Sequence, residues 1–425
     1  MAAYIFIFFA VALLLNLPIA ISLGISAVMF LLLLSSLPVD LVIQSYISGV
    51  DSFPLLAVPF FILAGDIMVE GGISIRLVRF SMSLMKNIRG ALGLVAVLTA
   101  AIFAAISGSG PATVAAVGSV MIPSMIRNGY DRSFTCALLA SAGTLGPVIP
   151  PSICFIIYGL VAQQSITDLF IAGVIPGLMM AGALMLVVRF VAKRYNYGAA
   201  SETVSVREAF GEAKWSLLVP GIILGGIYGG LFTPTEAAVI ACMCAIFIGI
   251  FIYKEITFTG LYAVFARAAL VNGTVLILVA TATAFGRLLA MEGVPRLLTA
   301  QLMAFSNNKF VILLLINVFL FLVGMVMETL AAVIILAPLF LTLIVPLGVN
   351  PIHFGVIMTV NLVIGMCTPP VGVNLFVAAR IGSVPIEVMF KWLAALLGAL
   401  AVVLFLVTYI PQLSLFLPNL MRALR

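Results

Sequence analysis

Two proline pairs interrupt long apolar segments at corresponding points in the two halves of this chain. The stretch from Gly146 reads GPVIPPS, and the stretch from Gly365, 219 positions later, reads GMCTPPV. A proline removes one backbone donor and clashes with the preceding turn, so two consecutive prolines after a glycine interrupt a helix. Broken helices at matching positions in two halves are typical of transporter binding sites. The pattern predicts that the chain moves a solute across a membrane.

The composition predicts that the whole chain lies in a membrane. Hydrophobic residues make up 64% of the 425 residues and charged residues 8%, with a mean hydropathy of +1.34. Apolar runs of spanning length recur throughout, which predicts an all-α polytopic protein. The N-terminus has no basic region and no small-residue cleavage site, so we expect a retained first helix. The five scattered cysteines fit neither a zinc site nor a disulfide framework.

The order of the apolar segments repeats in the second half of the chain. Pro18 corresponds to Pro234 at an offset of 216, and Pro123 corresponds to Pro338 at an offset of 215. Landmarks in the same order at a nearly constant offset indicate an internal duplication. The predicted divisions are a first repeat at 1–192 with a hairpin at 91–127 and a broken helix at 133–162, a connector at 193–214, and a second repeat at 215–425 with a hairpin at 309–346 and a broken helix at 353–381.

The basic residues predict opposite orientations for the two repeats. All but five of the 20 lysines and arginines fall on a few polar loops, which the positive-inside tendency places in the cytoplasm. These loops lie around 73–90, 127–132, 189–215, 254–268 and 380–391. Both ends of 91–127 are then cytoplasmic, and both ends of 309–346 are periplasmic. Each pair must be a re-entrant hairpin, so the repeats are inverted and both chain termini are expected in the periplasm.

The first hairpin turns at the sequence SGSGPAT, residues 107–113. Glycines allow backbone conformations that other residues avoid, and the hydroxyl groups supply uncharged oxygens. A hairpin tip that faces a helix break collects carbonyl oxygens, hydroxyl oxygens and helix ends in a small volume. Uncharged oxygens suit a monovalent cation, whereas helix N-termini suit the oxygens of an anion. The alternative is that these small residues only let helices pack closely.

The second hairpin turns at 324–329, where Glu328 is the most informative residue. A carboxylate at membrane depth is costly, which favours a role as an ion ligand or as a substrate contact. The alternative is a structural cap on the following helix. Asn374 follows the second break and is expected to face the cavity. Polar residues expected at interfaces or at the surface are Asp66, Glu70, Glu236 and His353.

Several classes of function are disfavoured by the motifs that the chain lacks. No GxxxxGK[ST] sequence is present, so ATP is not expected to drive the chain directly. The single histidine rules out most hydrolase and metalloprotease constellations, and we expect neither an enzyme nor an organic cofactor. The net charge of +6 is explained by basic loops at a membrane surface, and nucleic acid is not expected as a partner.

Five motifs together resemble the large membrane subunit of tripartite ATP-independent periplasmic transporters. They are SGSGPATVAAVGSVMIP (107–123), GTLGPVIPPS (143–152), GGLFTPTEAAVIA (229–241), ETLAAVIILAP (328–338) and IGMCTPPVGVNLF (364–376). The resemblance covers essentially the whole chain. More distantly, the hairpins and broken helices are similar to those of divalent anion:sodium symporters.

The resemblance implies secondary uptake of a carboxylate solute, such as a C4-dicarboxylate or sialic acid, across the bacterial inner membrane with Na⁺ as the coupling ion. It also implies a periplasmic binding protein that delivers the substrate and a small four-helix membrane subunit, here expected as a separate polypeptide. Inverted repeats suggest an elevator-like movement. The moving core would comprise mainly 91–162 and 309–381, and the static scaffold mainly 4–72 and 215–288.

Site residues follow from the same resemblance. The family's first sodium site falls on Ser107, Ser109, Gly146, Ile149 and Pro150. The second sodium site falls on Gly324, Gly365, Thr368 and Val371. Residues predicted to contact the substrate are Thr113, Ser152, Glu328, Thr329 and Asn374. The two sites are not strictly symmetric, because the first tip is rich in serine and the second reads Met-Glu-Thr.

The sequence also leaves alternative functions open and predicts a docking surface for the binding protein. A stand-alone sodium/anion symporter is the nearest rival within transport, and an integral-membrane transferase or a non-transporting scaffold subunit represents a different class. Arg287, Arg296 and Lys309 cluster before the second hairpin on the predicted outer face. We expect them to form a weak, salt-sensitive contact with the binding protein, unless they only reach into the lipid headgroups.

Overall fold

The computed structural model describes residues 2–35, 37–85, 88–198, 205–306 and 308–423. Within these ranges all regular secondary structure is helical, and no strand is present. This architecture confirms the predicted all-α fold class. The basic residues Lys86 and Arg425 and the connector residues 199–204 lie outside the described ranges.

Twenty α-helices account for most of the described residues. In the first half they are α1 (Ala2–Leu14), α2 (Ile19–Leu34), α3 (Asp40–Val50), α4 (Ala57–Glu70), α5 (Ile73–Met85), α6 (Ala91–Ser107), α7 (Gly110–Arg127), α8 (Arg132–Ala142), α9 (Ile153–Ala162) and α10 (Ile166–Tyr195). In the second half they are α11 (Val206–Tyr228), α12 (Pro234–Phe247), α13 (Phe258–Met291), α14 (Val294–Phe305), α15 (Lys309–Val326), α16 (Thr329–Ile344), α17 (Pro351–Gly365), α18 (Val373–Gly382), α19 (Phe390–Tyr409) and α20 (Gln412–Ala423).

Six helical segments of the described chain are long and apolar enough to cross a membrane. They are Phe53–Glu70, Ile166–Tyr195, Pro234–Ile252, Phe258–Met291, Lys309–Val326 and Ile386–Tyr409. Other apolar helices, including α6, α9, α16, α17 and α18, have only 10–17 residues. A single helix of that length is too short to span the hydrocarbon layer, so two such helices are needed to cross it.

Two of these pairs are helices that stop and restart at the proline pairs. α8 leads through a 3₁₀ turn at Gly143–Leu145 to the first pair, after which α9 begins, and α17 and α18 flank the second pair. Local hydrogen bonds define the ends: Asp131 caps α8 by accepting from the amide of Phe134 at 2.8 Å. Asn350 caps α17 by accepting from the amide of Ile352 at 2.8 Å. Each such cap satisfies an amide that has no partner within the helix.

The two halves pack reciprocally around the hairpins. In the first hairpin, α7 packs against α8 of its own half and against α18 of the other half. In the second, α16 packs against α17 of its own half and against α9 of the other. The long helix after each broken helix also packs against the other half: α10 contacts α17, and α19 contacts α8. This exchange brings both hairpin tips and both breaks to the centre of one body.

The remaining long helices form a second layer around α4, α12 and α13. α4 packs against α12, and α13 packs against α2, α3 and α4. An ion pair between Glu70 and Arg267, 2.8 Å apart, joins α4 to α13, and a second ion pair of 2.7 Å joins Arg76 to Glu255. Glu236, in contrast, completes a capping box with Thr233 at the start of α12.

Several segments that were predicted as polar loops are helical. α5 occupies most of 73–90, α13 begins at Phe258 within the predicted loop 254–268, and α10 and α11 extend into the connector 193–214. The reason is that lysine and arginine stems pack along a helix while their charged ends reach water. Charge therefore marks the membrane boundary rather than the end of a helix.

Three short helices, α3, α14 and α20, were not predicted, and α20 changes the interpretation of His353. The imidazole was expected at the surface, yet His353 is only 2% exposed, and its Nδ1 lies 2.7 Å from the hydroxyl oxygen of Ser414 on α20. That prediction was wrong because α20 packs against both α10 and α17 and covers the side chain.

Candidate binding site at the hairpin tips

The first hairpin tip is a cluster of uncharged oxygens. The hydroxyl oxygens of Ser107 and Thr113 lie 3.0 Å apart, and the Thr113 hydroxyl donates to the carbonyl oxygen of Ser109 at 2.8 Å. Both hydroxyl side chains are buried. Gly108 makes the turn with a φ of +60°, which side chains disfavour. Thr113, a predicted substrate contact, thus lies in the same cluster as the predicted sodium ligands Ser107 and Ser109.

Gly146 brings the first helix break against this tip. A β-carbon at Gly146 would collide with the carbonyl oxygen of Ser109 and would lie 2.9 Å from the hydroxyl oxygen of Thr113. Only a glycine allows two backbone segments to approach this closely. Ile149 and Pro150 follow in the same break, where Pro150 is buried. Ser107, Ser109 and Gly146 of the predicted first sodium site therefore meet at one junction between hairpin and break, whereas Ile149 packs against Gly177 of α10.

The second junction is built from backbone rather than from hydroxyl groups. A β-carbon at Gly365 would lie 2.6 Å from the α-carbon of Gly324, so the hairpin and the break touch through two glycines. The amide of Val371 donates to the carbonyl oxygen of Met325 at 3.3 Å. Thr368 supplies the nearby hydroxyl, which donates to a carbonyl oxygen of its own helix at 3.0 Å. The predicted asymmetry between the two tips is present in the structure.

Three helix N-termini meet at a small cavity between the two tips. The cavity has a volume of about 40 Å³ and is lined by the first residues of α7, α9 and α16, among them Gly110, Ile153 and Thr329. Helix N-termini present unpaired amides and the positive end of the helix dipole, which favour an anion. A cavity of this size holds only a few water molecules. A larger anion therefore needs the hairpins to separate.

Glu328 lies at this cavity and caps α16. Its carboxylate accepts from the amides of Leu330 at 2.9 Å and of Ala331 at 3.2 Å, and it lines the cavity beside the first tip. The Glu328 side chain therefore caps α16 and at the same time lines the candidate site. The neighbouring Thr329 hydroxyl is buried and has no hydrogen-bond partner in the described part of the chain.

Asn374 lies deeper than the sequence predicted. Its side chain is buried, and its amide donates to the carbonyl oxygen of Ala140 at 3.3 Å; the Cys367 thiol donates to the same carbonyl at 2.9 Å. β-carbons at Gly110 and Gly143 would lie 3.1 Å and 3.0 Å from the Asn374 side-chain amide. Cys367 and Gly143 were missed. The two glycines of GTLG (143–146) could have predicted the close packing at Gly143, because small residues permit close helix contact.

Ser152, the remaining predicted substrate contact, stabilises the first break. Its buried hydroxyl donates to the carbonyl oxygen of Pro147 and accepts from the amide of Phe155 at 3.2 Å. Ser152 is therefore the N-cap of α9. These hydrogen bonds hold the N-terminus of α9 at the cavity. Both partners of the Ser152 hydroxyl lie within residues 147–155, so the hydroxyl does not bond to the hairpin.

A second, larger cavity separates the hairpin body from the outer layer of helices. It has a volume of about 360 Å³ and lies between α3 and α13 on one side and α9 and α16 on the other. Arg287 of α13 is its single charged lining residue in the described chain, beside hydroxyl groups such as those of Ser48 and Thr283. The guanidinium donates to the hydroxyl of Ser45 at 3.4 Å. Arg296 does not line this cavity.

Comparison with known proteins identifies the family. The profile of the family described as "Tripartite ATP-independent periplasmic transporter, DctM component" matches residues 6–413. The chain belongs to this family. The resemblance inferred from the five motifs is thereby confirmed, and the tips and breaks described above are those of a large permease subunit of a tripartite ATP-independent periplasmic transporter.

Individual relatives agree with the assignment to this family. The chain is 42% identical over 412 residues to the isethionate TRAP transporter permease protein DctMQ of Oleidesulfovibrio alaskensis, covering 96% of this chain and 65% of that relative. It is 38% identical to the C4-dicarboxylate TRAP transporter large permease protein DctM of Rhodobacter capsulatus, covering 99% of this chain and all of the relative. The sialic acid TRAP transporter large permease protein SiaM of Vibrio cholerae is also 38% identical, with 95% of each chain covered.

One solved structure shares the fold of this permease. The YdaH transporter of Alcanivorax borkumensis, described as having an unusual topology, superimposes with a TM-score of 0.62 at 19% identity. The match covers 97% of this chain and 100% of that chain. The likeness concerns the fold.

Proposed function

We propose that this permease subunit carries a small organic anion into the bacterial cell together with Na⁺, by alternating access across the inner membrane. The observation that carries the proposal is the meeting of three helix N-termini at the cavity between two hairpin–break junctions. The N-termini favour a negatively charged group. The clustered hydroxyl and carbonyl oxygens beside them favour a monovalent cation.

The substrate class follows from the site together with the relatives. The names of the three relatives above refer to isethionate, a C4-dicarboxylate and sialic acid. Each of these is an organic anion with a carboxylate or sulfonate group. We propose that such a group binds at the N-termini of α7 and α9 once the hairpins separate. At the adjoining start of α16, whose amides of Leu330 and Ala331 are already bonded to Glu328, the unpartnered hydroxyl of Thr329 is an additional donor.

The proposed partners are a periplasmic binding protein and a small membrane subunit, as the tripartite family implies. Uptake is measured in proteoliposomes that contain the permease with its small subunit, at fixed binding-protein concentration, with and without an inward sodium gradient. We expect uptake only when both the gradient and the binding protein are present. Uptake without binding protein would support the stand-alone symporter instead, and uptake unaffected by sodium would contradict the coupling.

Loss of one hydroxyl from either junction is expected to weaken sodium binding. Hydrogen-bonding groups that interact with a charge contribute about 1.5–3 kcal/mol, so Ser107→Ala and Thr368→Ala should each raise the half-saturating sodium concentration at least about tenfold. Matched controls are Ser119→Ala and Thr342→Ala, whose hydroxyls donate only within their own helices. Unchanged sodium dependence in both site variants would refute the placement of the ions.

Arg287 is expected to attract the anion on the outer path to the site. Because Arg287 is the single charged residue among the described residues that line the 360 Å³ cavity, Arg287→Gln should raise the KM for the anion about threefold to tenfold with little change in kcat. The assay uses saturating binding protein, so that weakened docking does not contribute. Arg296→Gln is the control, and an equal effect in both variants at saturating binding protein would contradict a specific role of Arg287. An effect of both variants that appears only at subsaturating binding protein would instead indicate the shared docking surface predicted from the sequence.

A further inference from the structure

A third cavity lies at the far end of α10, away from the hairpin tips. It has a volume of about 700 Å³, and the described residues that line it are Ile88, Arg89, Leu186, Arg189, Phe190 and Lys193. Three of the six are basic, three are apolar, and none is acidic. None of them belongs to a hairpin tip or to a helix break, so the cavity has no part in the transport site described above.

Apolar and basic side chains alternate along the wall of the cavity that α10 provides. Leu186, Arg189, Phe190 and Lys193 are spaced so that all four lie on one face of α10. The apolar pair begins one turn closer to the middle of this long apolar helix, and the basic pair lies toward its C-terminus. Leu186 and Phe190 are 60% and 74% exposed. Cations therefore lie beside uncovered apolar surface.

Arg89 is held at the same place by the backbone of the segment before α6. The amide of Gly90 donates to the carbonyl oxygens of Tyr197 and Gly198, both at 3.2 Å. Gly90 has a φ of +77°, and a β-carbon there would lie 2.5 Å from the Ala192 side chain. This contact presses the turn against α10, so Arg89 remains next to the face that carries the other two cations.

The three basic side chains have no competing partner within the described ranges. Arg89, Arg189 and Lys193 take part in none of the ion pairs or side-chain hydrogen bonds there. In contrast, several other basic residues of the chain are paired with carboxylates, among them Arg76, Arg79 and Arg267. Three uncompensated cations in one concave site favour a phosphate group.

We propose that this cavity binds an anionic phospholipid, with the phosphate held by the three cations and the upper part of an acyl chain lying on Leu186 and Phe190. Basic pockets between membrane helices at the cytoplasmic surface suit anionic headgroups, and the positive-inside distribution places this end of α10 in the cytoplasm. The apolar wall distinguishes a lipid from free phosphate, because inorganic phosphate gains nothing from exposed leucine and phenylalanine.

The test is native mass spectrometry of the detergent-purified complex of permease and small subunit with phosphatidylglycerol or phosphatidylethanolamine. Each basic residue near an anionic headgroup contributes roughly fivefold, so the triple variant Arg89→Gln, Arg189→Gln, Lys193→Gln should retain at least about tenfold less phosphatidylglycerol. The matched control removes three cytoplasmic charges outside the cavity: Arg127→Gln, Arg207→Gln and Lys254→Gln. Equal loss in both triples overturns a specific site.

Two further measurements separate the possible occupants. Phe190→Ala keeps all three cations and should still reduce retention of phosphatidylglycerol; no reduction overturns the acyl-chain contact. Inorganic phosphate at the same concentration should neither displace the lipid nor raise the unfolding temperature. Equal stabilisation by phosphate overturns the lipid assignment in favour of a soluble anion, and failure of the wild-type complex to retain phosphatidylglycerol overturns the binding site.

Discussion

Gly365→Ala is expected to abolish most of the sodium-dependent uptake while leaving the protein in the membrane. The new β-carbon would lie 2.6 Å from the α-carbon and 2.8 Å from the carbonyl oxygen of Gly324, so hairpin and break must move apart. Neither neighbour is a flexible side chain that could give way. Overpacking of this kind costs about 1–3 kcal/mol. If that cost falls on the ion-bound state, sodium affinity drops roughly fivefold to 150-fold.

Gly146→Ala should have the same effect at the first junction, because its β-carbon would collide with the carbonyl oxygen of Ser109. The control is Gly398→Ala in α19, where nothing lies within 4 Å of the added β-carbon. Alanine stabilises a helix interior relative to glycine by about 0.5–1 kcal/mol, so this control should fold at least as well. Wild-type sodium dependence in both junction variants would show that the glycine contacts are not needed for coupling.

The parts of the fold that could be predicted are those with a local signal. A proline pair after a glycine interrupts a helix wherever it occurs, so both breaks were found from residues 146–151 and 365–370 alone. The turn at SGSGP could likewise be predicted from its own glycine and proline residues. Repetition at a nearly constant offset then linked the two halves without any knowledge of their packing.

The features that were missed depend on contacts between distant segments. His353 is buried only because α20, about 60 residues further on, packs against α17 and supplies Ser414. Arg287 is exposed, as expected of a surface residue, but the cavity that it also lines forms only when α13 packs against α16. Neither arrangement has a signal in the neighbouring sequence. The buried Asn374 belongs to the same class, because its partner Ala140 lies in the other half of the chain.

The structure also refines what the sequence could say about Glu328. The sequence favoured a role of this carboxylate as an ion ligand or substrate contact over a structural cap, but it could not show that one side chain does both. Its bonds to two amides of α16 define the cap, while the convergence of α7 and α9 on the same cavity depends on tertiary packing. The N-termini of three helices from both halves could not be brought together from periodicity or composition.

Cross-linking the hairpin body to the outer helices is expected to stop transport. Thr283 on α13 and Ile334 on α16 line the same cavity, and the two helices pack against each other. If the body that contains both hairpins slides past α13 during the cycle, a covalent bridge holds it in one state. In a protein whose five native cysteines are replaced, Thr283→Cys with Ile334→Cys should lose all but about a tenth of its uptake rate after treatment with a cleavable bifunctional thiol reagent. Reduction should restore it.

The matched control is a bridge between two helices of the moving body. Comparing the two bridges shows whether this body slides past α13 or whether the hairpins open within it. A β-carbon at Gly118 of α7 would lie 3.4 Å from the Cδ1 atom of Ile381 on α18, so Gly118→Cys with Ile381→Cys can be joined by the same reagent. Because both helices belong to the body that is proposed to move, this bridge should leave uptake intact. If both bridges stop transport, the hairpins must open within the body; if the α13–α16 bridge leaves uptake unchanged, the body does not move against α13, and an elevator-like cycle is ruled out.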